Sequence, residues 1–122
     1  MITTKPTVLV VDDEKINCIL ARAYLERLGW DVEECDSADG ALRLLSKGLP
    51  QAMLLDIRMP GMSGDELARH IRSTYPDNPI TLVAYTAHCQ TDELIEIRKA
   101  GFNEVLVKPV SFLQMTDALP LP

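Results

Sequence analysis

Met53-Leu54-Leu55-Asp56-Ile57-Arg58-Met59-Pro60-Gly61 is the stretch on which the reading of this chain turns. Four of the five residues from Gln51 to Leu55 are apolar, and Ala52 to Leu55 suits a buried strand. A carboxylate follows at once, and Pro60-Gly61 then ends any strand. Asp56 therefore stands at the carboxyl end of a buried strand, on the lip of a loop. In open α/β sheets that edge is where ligands bind. One aspartate after a strand is more often a turn-former or a helix cap, so its meaning depends on what the other strands deliver.

Downstream, Ser63-Gly64-Asp65-Glu66 has the form of a capping box and opens a helix that runs to about Arg72. Tyr75-Pro76-Asp77-Asn78-Pro79 is a turn. Ile80 to Tyr85 is a strand ending at Thr86. Thr91 is placed to cap the next helix, with Asp92 and Glu93 in its first turn, Arg98 and Lys99 in its last, and Gly101 beyond. Glu104 to Val107 is a further strand, ending at Lys108-Pro109. Ser111 with Gln114 is a second capping box, and its helix is stopped early by Pro120 and Pro122.

Upstream, Val8-Leu9-Val10-Val11 is a continuous apolar run typical of a central parallel strand. Asp12-Asp13-Glu14 follows, then a helix from about Lys15 to Leu28 with Gly29 as its stop. Asp31 to Cys35 is a more polar strand, and Ser37 can cap a short helix that ends before Gly48. Strand and helix alternate five times through short loops. That predicts one doubly wound (βα)5 domain over residues 1–122, with a parallel five-stranded sheet covered on both faces. The polar second strand belongs near an edge, which is consistent with the order 2-1-3-4-5 of flavodoxin-like folds.

Parallel strands bring their carboxyl ends together. The first delivers Asp12 and Asp13, the third Asp56, the fourth Thr86 and the fifth Lys108. Crowded carboxylates repel and raise a pKa. A hard divalent cation removes the conflict, and Mg2+ takes a few carboxylates together with waters and phosphate oxygens. Lys108 offers a point charge to a phosphate, and a threonine hydroxyl can donate to a phosphoryl oxygen. This is a set of groups for phosphoryl transfer onto a carboxylate.

Val8-Leu9-Val10-Val11-Asp12-Asp13-Glu14, the segment from Met53 to Arg72, Val83-Ala84-Tyr85-Thr86-Ala87 and Val105-Leu106-Val107-Lys108-Pro109 together resemble the receiver domain of two-component response regulators. The resemblance runs from Val8 to about Ala118. It implies that Asp56 is the phosphoacceptor, that Asp13 and Asp56 ligate Mg2+ with the backbone carbonyl of Arg58, and that Asp12 acts on the ion through water. It further implies that Thr86 and Lys108 hold the phosphoryl group and that the Lys108-Pro109 bond is cis. The family often has an aromatic residue three positions before the lysine, as a switch; here Val105 stands there. Tyr85, next to Thr86, is either a substitute for that switch or a buried strand tyrosine. Asp56-Ile57-Arg58-Met59-Pro60 and Tyr85-Thr86-Ala87-His88 resemble receivers of hybrid histidine kinases more than chemotaxis ones. The short last helix and the Leu119-Pro120-Leu121-Pro122 ending suit a piece excised from a longer chain, or one continuing into a linker.

Two other functions compete. A Mg2+-dependent phosphatase with an aspartate nucleophile usually has a second aspartate two residues on, where this chain has Arg58. A flavin-binding module needs a glycine- and hydroxyl-rich loop after the first strand, where Asp12-Asp13 would repel the phosphate. A nucleotide P-loop is absent. The net charge of −6 argues against attraction to nucleic acid. No apolar run is long enough for a membrane span, and Met1 to Pro6 is not a signal peptide, so a cytoplasmic domain is expected. Cys18, Cys35 and Cys89 are odd in number and lack metal spacing, so they read as free thiols; His70 and His88 read as surface histidines. Arg58 and His88, two residues beyond Asp56 and Thr86, are placed to overhang a phosphoryl group.

The first helix carries a surplus of apolar residues. At about 100° per residue, Leu20, Tyr24, Leu28, Ala21 and Leu25 form a stripe wide enough to pack on the sheet. Ile16, Ile19 and Ala23 extend it, leaving Lys15, Arg22 and Glu26 as a narrow polar strip. Exposed apolar surface beside Asp12-Asp13 suits docking of a histidine kinase or histidine phosphotransfer protein, with the domain itself a monomer or weak dimer.

Overall fold

Side chains along each central strand alternate between two separate cores. The computed structural model describes residues 5–87 and 90–122. Its elements are β1 (Thr7–Val11), α1 (Lys15–Leu28), β2 (Asp31–Cys35), α2 (Ala38–Leu45), β3 (Ala52–Asp56), α3 (Gly64–Thr74), β4 (Thr81–Thr86), α4 (Thr91–Lys99), β5 (Glu104–Val107) and α5 (Phe112–Ala118). The five strands form one parallel sheet in the order β2-β1-β3-β4-β5. The expected (βα)5 architecture and strand order are therefore present, with the polar β2 at an edge.

Period-two alternation divides the apolar residues. Leu9, Val11, Met53, Leu55, Leu82 and Ala84 face one core with α2, α3 and α4. Val8, Val10, Ala52, Leu54, Val83 and Tyr85 face the other with α1 and α5. Each core is closed by fully buried helix residues, such as Leu67 and Ile71 on one side and Leu25 and Met115 on the other. Burying a leucine or isoleucine of this kind contributes about 2 kcal/mol, so the two cores fix the sheet and the loops at its edge.

Helix ends follow local chemistry, with two departures from expectation, and the facing of α1 is a third. Gly29 ends α1 in the left-handed region, at φ 109°, a conformation that glycine adopts without steric cost. Ser111 and Gln114 make the full reciprocal box at α5. At α3 only half of the box forms: Ser63 Oγ accepts from the Glu66 N–H, but the Glu66 carboxylate accepts from Ser63 Oγ instead of reaching the backbone. The cap of α4 is Gln90, one residue before the expected Thr91. On α1, Leu20 was expected in the packing stripe but is 49% exposed, and Cys18 is buried in its place. The helix is rotated so that Cys18, Ala21 and Leu25 point at the sheet.

The end of the sheet opposite the carboxyl rim is tied by Arg72. Its guanidinium donates to the carbonyls of Ile80 and Gly101 and to Asn103 Oδ1, at 2.7 to 3.0 Å. One side chain at the end of α3 thus joins the entries to β4 and β5.

Candidate functional site

The rim begins with strand register. Val11 pairs with Leu55 across β1 and β3, so Asp12 and Asp56 follow side by side. By parity both continue the strand face of Val10 and Leu54, which is the α1 side. Asp12 and Asp56 are buried and Asp13 is exposed. An oxygen from each of Asp12, Asp13 and Asp56 lies within 4.8 Å of the others, a grouping that could hold a metal ion. All the donors are hard carboxylate oxygens, which fits a hard divalent cation.

The loop carrying Asp12 is held by its own chemistry. The Asp12 N–H donates to the Cys35 carbonyl, Asp12 Oδ1 accepts from the Glu14 N–H at 2.9 Å, and the Cys18 thiol donates to the Asp12 carbonyl. Burial comes first, with the Asp12 charge second, in pushing the Cys18 thiol up to about 11; burial likewise pushes Cys35 up to about 11. Both are free thiols, and both are held in the poorly nucleophilic protonated form.

Lys108 closes the rim from β5. The Lys108 N–H donates to the Thr86 carbonyl at 2.8 Å. Lys108 Nζ lies 3.2 Å from Asp12 Oδ2 and 3.3 Å from Asp56 Oδ1. Burial first, and then the charge of Asp12, push the Asp56 carboxyl up to about 6, against the downward pull of the Lys108 ammonium. Thr86 is buried at the end of β4, and the Lys108-Pro109 bond is cis. The fold thus brings together Asp12, Asp13, Asp56, Thr86 and Lys108.

Other expectations meet different outcomes. Arg58 does not reach over Asp56; its guanidinium is paired with Glu93 on α4 at 2.8 Å. Val105 is half-buried against the α2–α3–α4 core. Tyr85 is buried, as a strand tyrosine, and its ring lies under Lys108 Nζ at 4.4 Å from the centroid. Burial, followed by the charges of Asp12 and Asp56, pushes its phenol up to about 12. His70 is exposed. His88 and Cys89 lie outside the described residues, as does the start of the chain through Thr4.

The apolar surplus on α1 is exposed: Ile16 is 58% accessible, Ile19 51% and Leu20 49%, and Ala23 lies on the open face with them. No helix among the described residues is long and apolar enough to cross a membrane.

Gly64 is a site residue that the sequence reading passed over as part of a cap. Its N–H donates to the Ile57 carbonyl at 2.9 Å. A Cβ there would overlap the Asp56 carbonyl oxygen and lie 2.9 Å from Asp56 C and Ile57 Cα. The signal was present in principle, because glycine is a poor choice for the first residue of a helix unless backbone approaches it closely. Glu93 gave no such signal, since an acid in a first helical turn is ordinary.

Comparison with known proteins agrees with this geometry. The chain is 41% identical over 108 residues to the virulence sensor protein BvgS of Bordetella pertussis, a match that covers 84% of this chain and 9% of that protein. It is 37% identical over 110 residues to the aerobic respiration control sensor protein ArcB of Escherichia coli, covering 89% of this chain and 14% of that one. The chain thus spans only about a tenth of the length of these relatives. Among solved structures, a response regulator receiver protein from Pseudomonas putida superposes with a TM-score of 0.86 at 27% identity, covering 97% of this chain and 98% of that one. The chemotaxis protein CheY4 of Vibrio cholerae superposes with a TM-score of 0.88 at 23% identity, covering 95% and 97%, a likeness of fold. The family model for the response regulator receiver domain matches residues 8–120, which take in β2 to β5, β1 from its second residue, and the whole acidic rim, and the chain belongs to that family.

Proposed function

We propose that Asp56 is the residue that takes up the phosphoryl group in the phosphorelay this receiver domain serves. The observation that carries the assignment is the position of the Asp56 carboxyl. It is buried at the end of β3, grouped with the Asp12 and Asp13 carboxylates, and Lys108 Nζ lies 3.3 Å from it while also contacting Asp12. In the transfer, an Asp56 oxygen attacks phosphorus and the O–P bond forms. The P–N bond to the donor histidine breaks, and the imidazole nitrogen leaves with the electron pair.

Asp12, Asp13 and Asp56, with the backbone carbonyl of Arg58, would hold Mg2+. Bound there, the ion supplies positive charge to the phosphoryl oxygens. Lys108 adds a second positive charge, and Thr86 supplies a hydroxyl donor. The domain, spanning residues 1–122, acts as an acceptor that promotes its own phosphorylation and dephosphorylation rather than as an enzyme with a separate substrate. A phosphatase would need a general acid two residues past Asp56, where Arg58 pairs with Glu93 instead.

The exposed Ile16, Ile19, Leu20 and Ala23 beside the rim support docking of a histidine kinase or histidine phosphotransfer protein there. The sensor proteins that the chain matches support a parent of the hybrid histidine kinase type, with this domain on the cytoplasmic side. The test is direct. With Mg2+ and a small acyl phosphate, the protein should gain one phosphoryl group, and Asp56→Asn should gain none. An unchanged adduct in Asp56→Asn would overturn the assignment.

A further inference from the structure

We propose that the ring of Tyr85 is a positioning residue for the phosphoryl-transfer site: it holds the Lys108 ammonium in place by a cation–π contact that does not depend on the charge state of the carboxylates. The inference rests on the reading of Asp56 as acceptor, and deepens it.

Among the described residues, Lys108 Nζ has three partners. Two are carboxylate oxygens, Asp12 Oδ2 at 3.2 Å and Asp56 Oδ1 at 3.3 Å. The third is the Tyr85 ring, with its centroid 4.4 Å from Nζ, well inside the range at which a ring face attracts an ammonium. The first two partners cannot be constant during function. Oxygens of Asp12 and Asp56 belong to the grouping that could hold a cation, and one Asp56 oxygen becomes the nucleophile. Whichever oxygen is drawn to a metal ion or bonded to phosphorus is a weaker partner for lysine. Without a further anchor, a flexible four-carbon side chain would then regain its rotamer freedom.

The ring supplies that anchor. Tyr85 is buried among Val10, Cys18, Leu54 and Met115, so it is fixed by packing. It lies across from Leu106 in the β4–β5 register, and the Lys108 N–H bonds to the carbonyl of the next residue, Thr86. The ladder therefore sets both ends of the contact. The attraction comes from the ring quadrupole, which phenylalanine shares, so the hydroxyl is not required.

Two measurements test this. The first is the NMR shift of the Lys108 ε-methylene protons in metal-free wild type, which needs no phosphorylation. Ring current should move them upfield of those of the exposed Lys5, Lys47 and Lys99. The displacement should persist in Tyr85→Phe and on addition of Mg2+, and vanish in Tyr85→Leu. Shifts equal to those of the exposed lysines in wild type would overturn the proposal, whatever the variants do. The second is the rate of labelling by a small acyl phosphate with saturating Mg2+. Tyr85→Leu should slow it about fivefold, the size of a partly buried cation–π contact, and Tyr85→Phe should restore it. In a Lys108→Ala background, Tyr85→Leu should have no further effect. Equal slowing in both backgrounds would mean that Tyr85 acts only through packing and would sink the idea. If wild type takes up no label while the upfield shift is present, the acceptor assignment fails and the Tyr85–Lys108 contact stands.

Discussion

Arg58 Nη2 lies 2.8 Å from Glu93 Oε2, which joins the loop after Asp56 to the first turn of α4. The two side chains are 62% and 38% exposed, so the pair contributes little to stability, at most about 1 kcal/mol. Its consequence is for the fate of the phosphoryl group, because Glu93 occupies the guanidinium that would otherwise be free to screen it. Glu93→Ala should slow dephosphorylation, while Arg58→Ala should leave it within about twofold of wild type. Following loss of the Asp56 adduct over time measures both, and identical rates in Glu93→Ala and wild type would dissolve the link.

Gly64 predicts a structural lesion with a functional readout. Any Cβ there meets the backbone of Asp56 and Ile57, and neither is the movable end of a side chain. Gly64→Ala should cost about 1–3 kcal/mol in chemical denaturation. By shifting the acceptor it should slow labelling by a small phosphodonor about tenfold or more. Wild-type stability together with wild-type labelling would show that the close approach is unimportant.

Asp56 also predicts a pH dependence. Its folded pKa, at about 6, lies above the ordinary carboxylate value near 4. Between those two pH values the folded state holds a proton that the unfolded state has released. Stability of the metal-free protein therefore falls as pH rises through that window, and the loss is complete above about pH 6. Asp56→Asn cannot titrate there. Relative to this variant, wild type should lose about 1–3 kcal/mol between pH 4 and pH 6. Parallel curves for the two proteins would show that Asp56 is not perturbed.

The exposed apolar face of α1 predicts a selective defect. Ile16→Lys with Ile19→Lys should slow transfer from a histidine phosphodonor protein about tenfold, equivalent to about 1.4 kcal/mol of docking energy. Labelling by a small acyl phosphate should stay near wild type, since neither side chain reaches the rim. Equal losses in both assays would place the docking face elsewhere.

The parts of this protein that were legible in its sequence are those set by repeating chemistry. Apolar runs ended by Asp12, Asp56, Thr86 and Lys108 located the strands and the rim, because a buried parallel strand is apolar and the first polar residue after such a run marks its carboxyl end. What was missed depended on angles and distances that no residue type announces. The rotation of α1 decided that Leu20 faces outward and Cys18 inward; an arc of apolar residues this wide allows several rotations. Gln90 took the cap position from Thr91 because capping depends on where the chain turns. Arg58 found Glu93, and Lys108 found the Tyr85 ring, across 35 residues in the first case and between neighbouring strands in the second.

The Arg72 clamp gives the molecule a mechanical polarity. It pins the entries to β4 and β5, and through Gly101 the trailing end of α4. The leading end of α4 meets the β3–α3 loop through a solvent-exposed ion pair. A helix fastened at one end and lightly tethered at the other is a lever with a fulcrum. A push from the Asp56 rim should swing α4 about Gly101 rather than slide it along the sheet. Residual dipolar couplings with a phosphoryl mimic should report one common rotation for the amides of α4 from Asp92 to Lys99, with those of Ile80 and Asn103 unchanged.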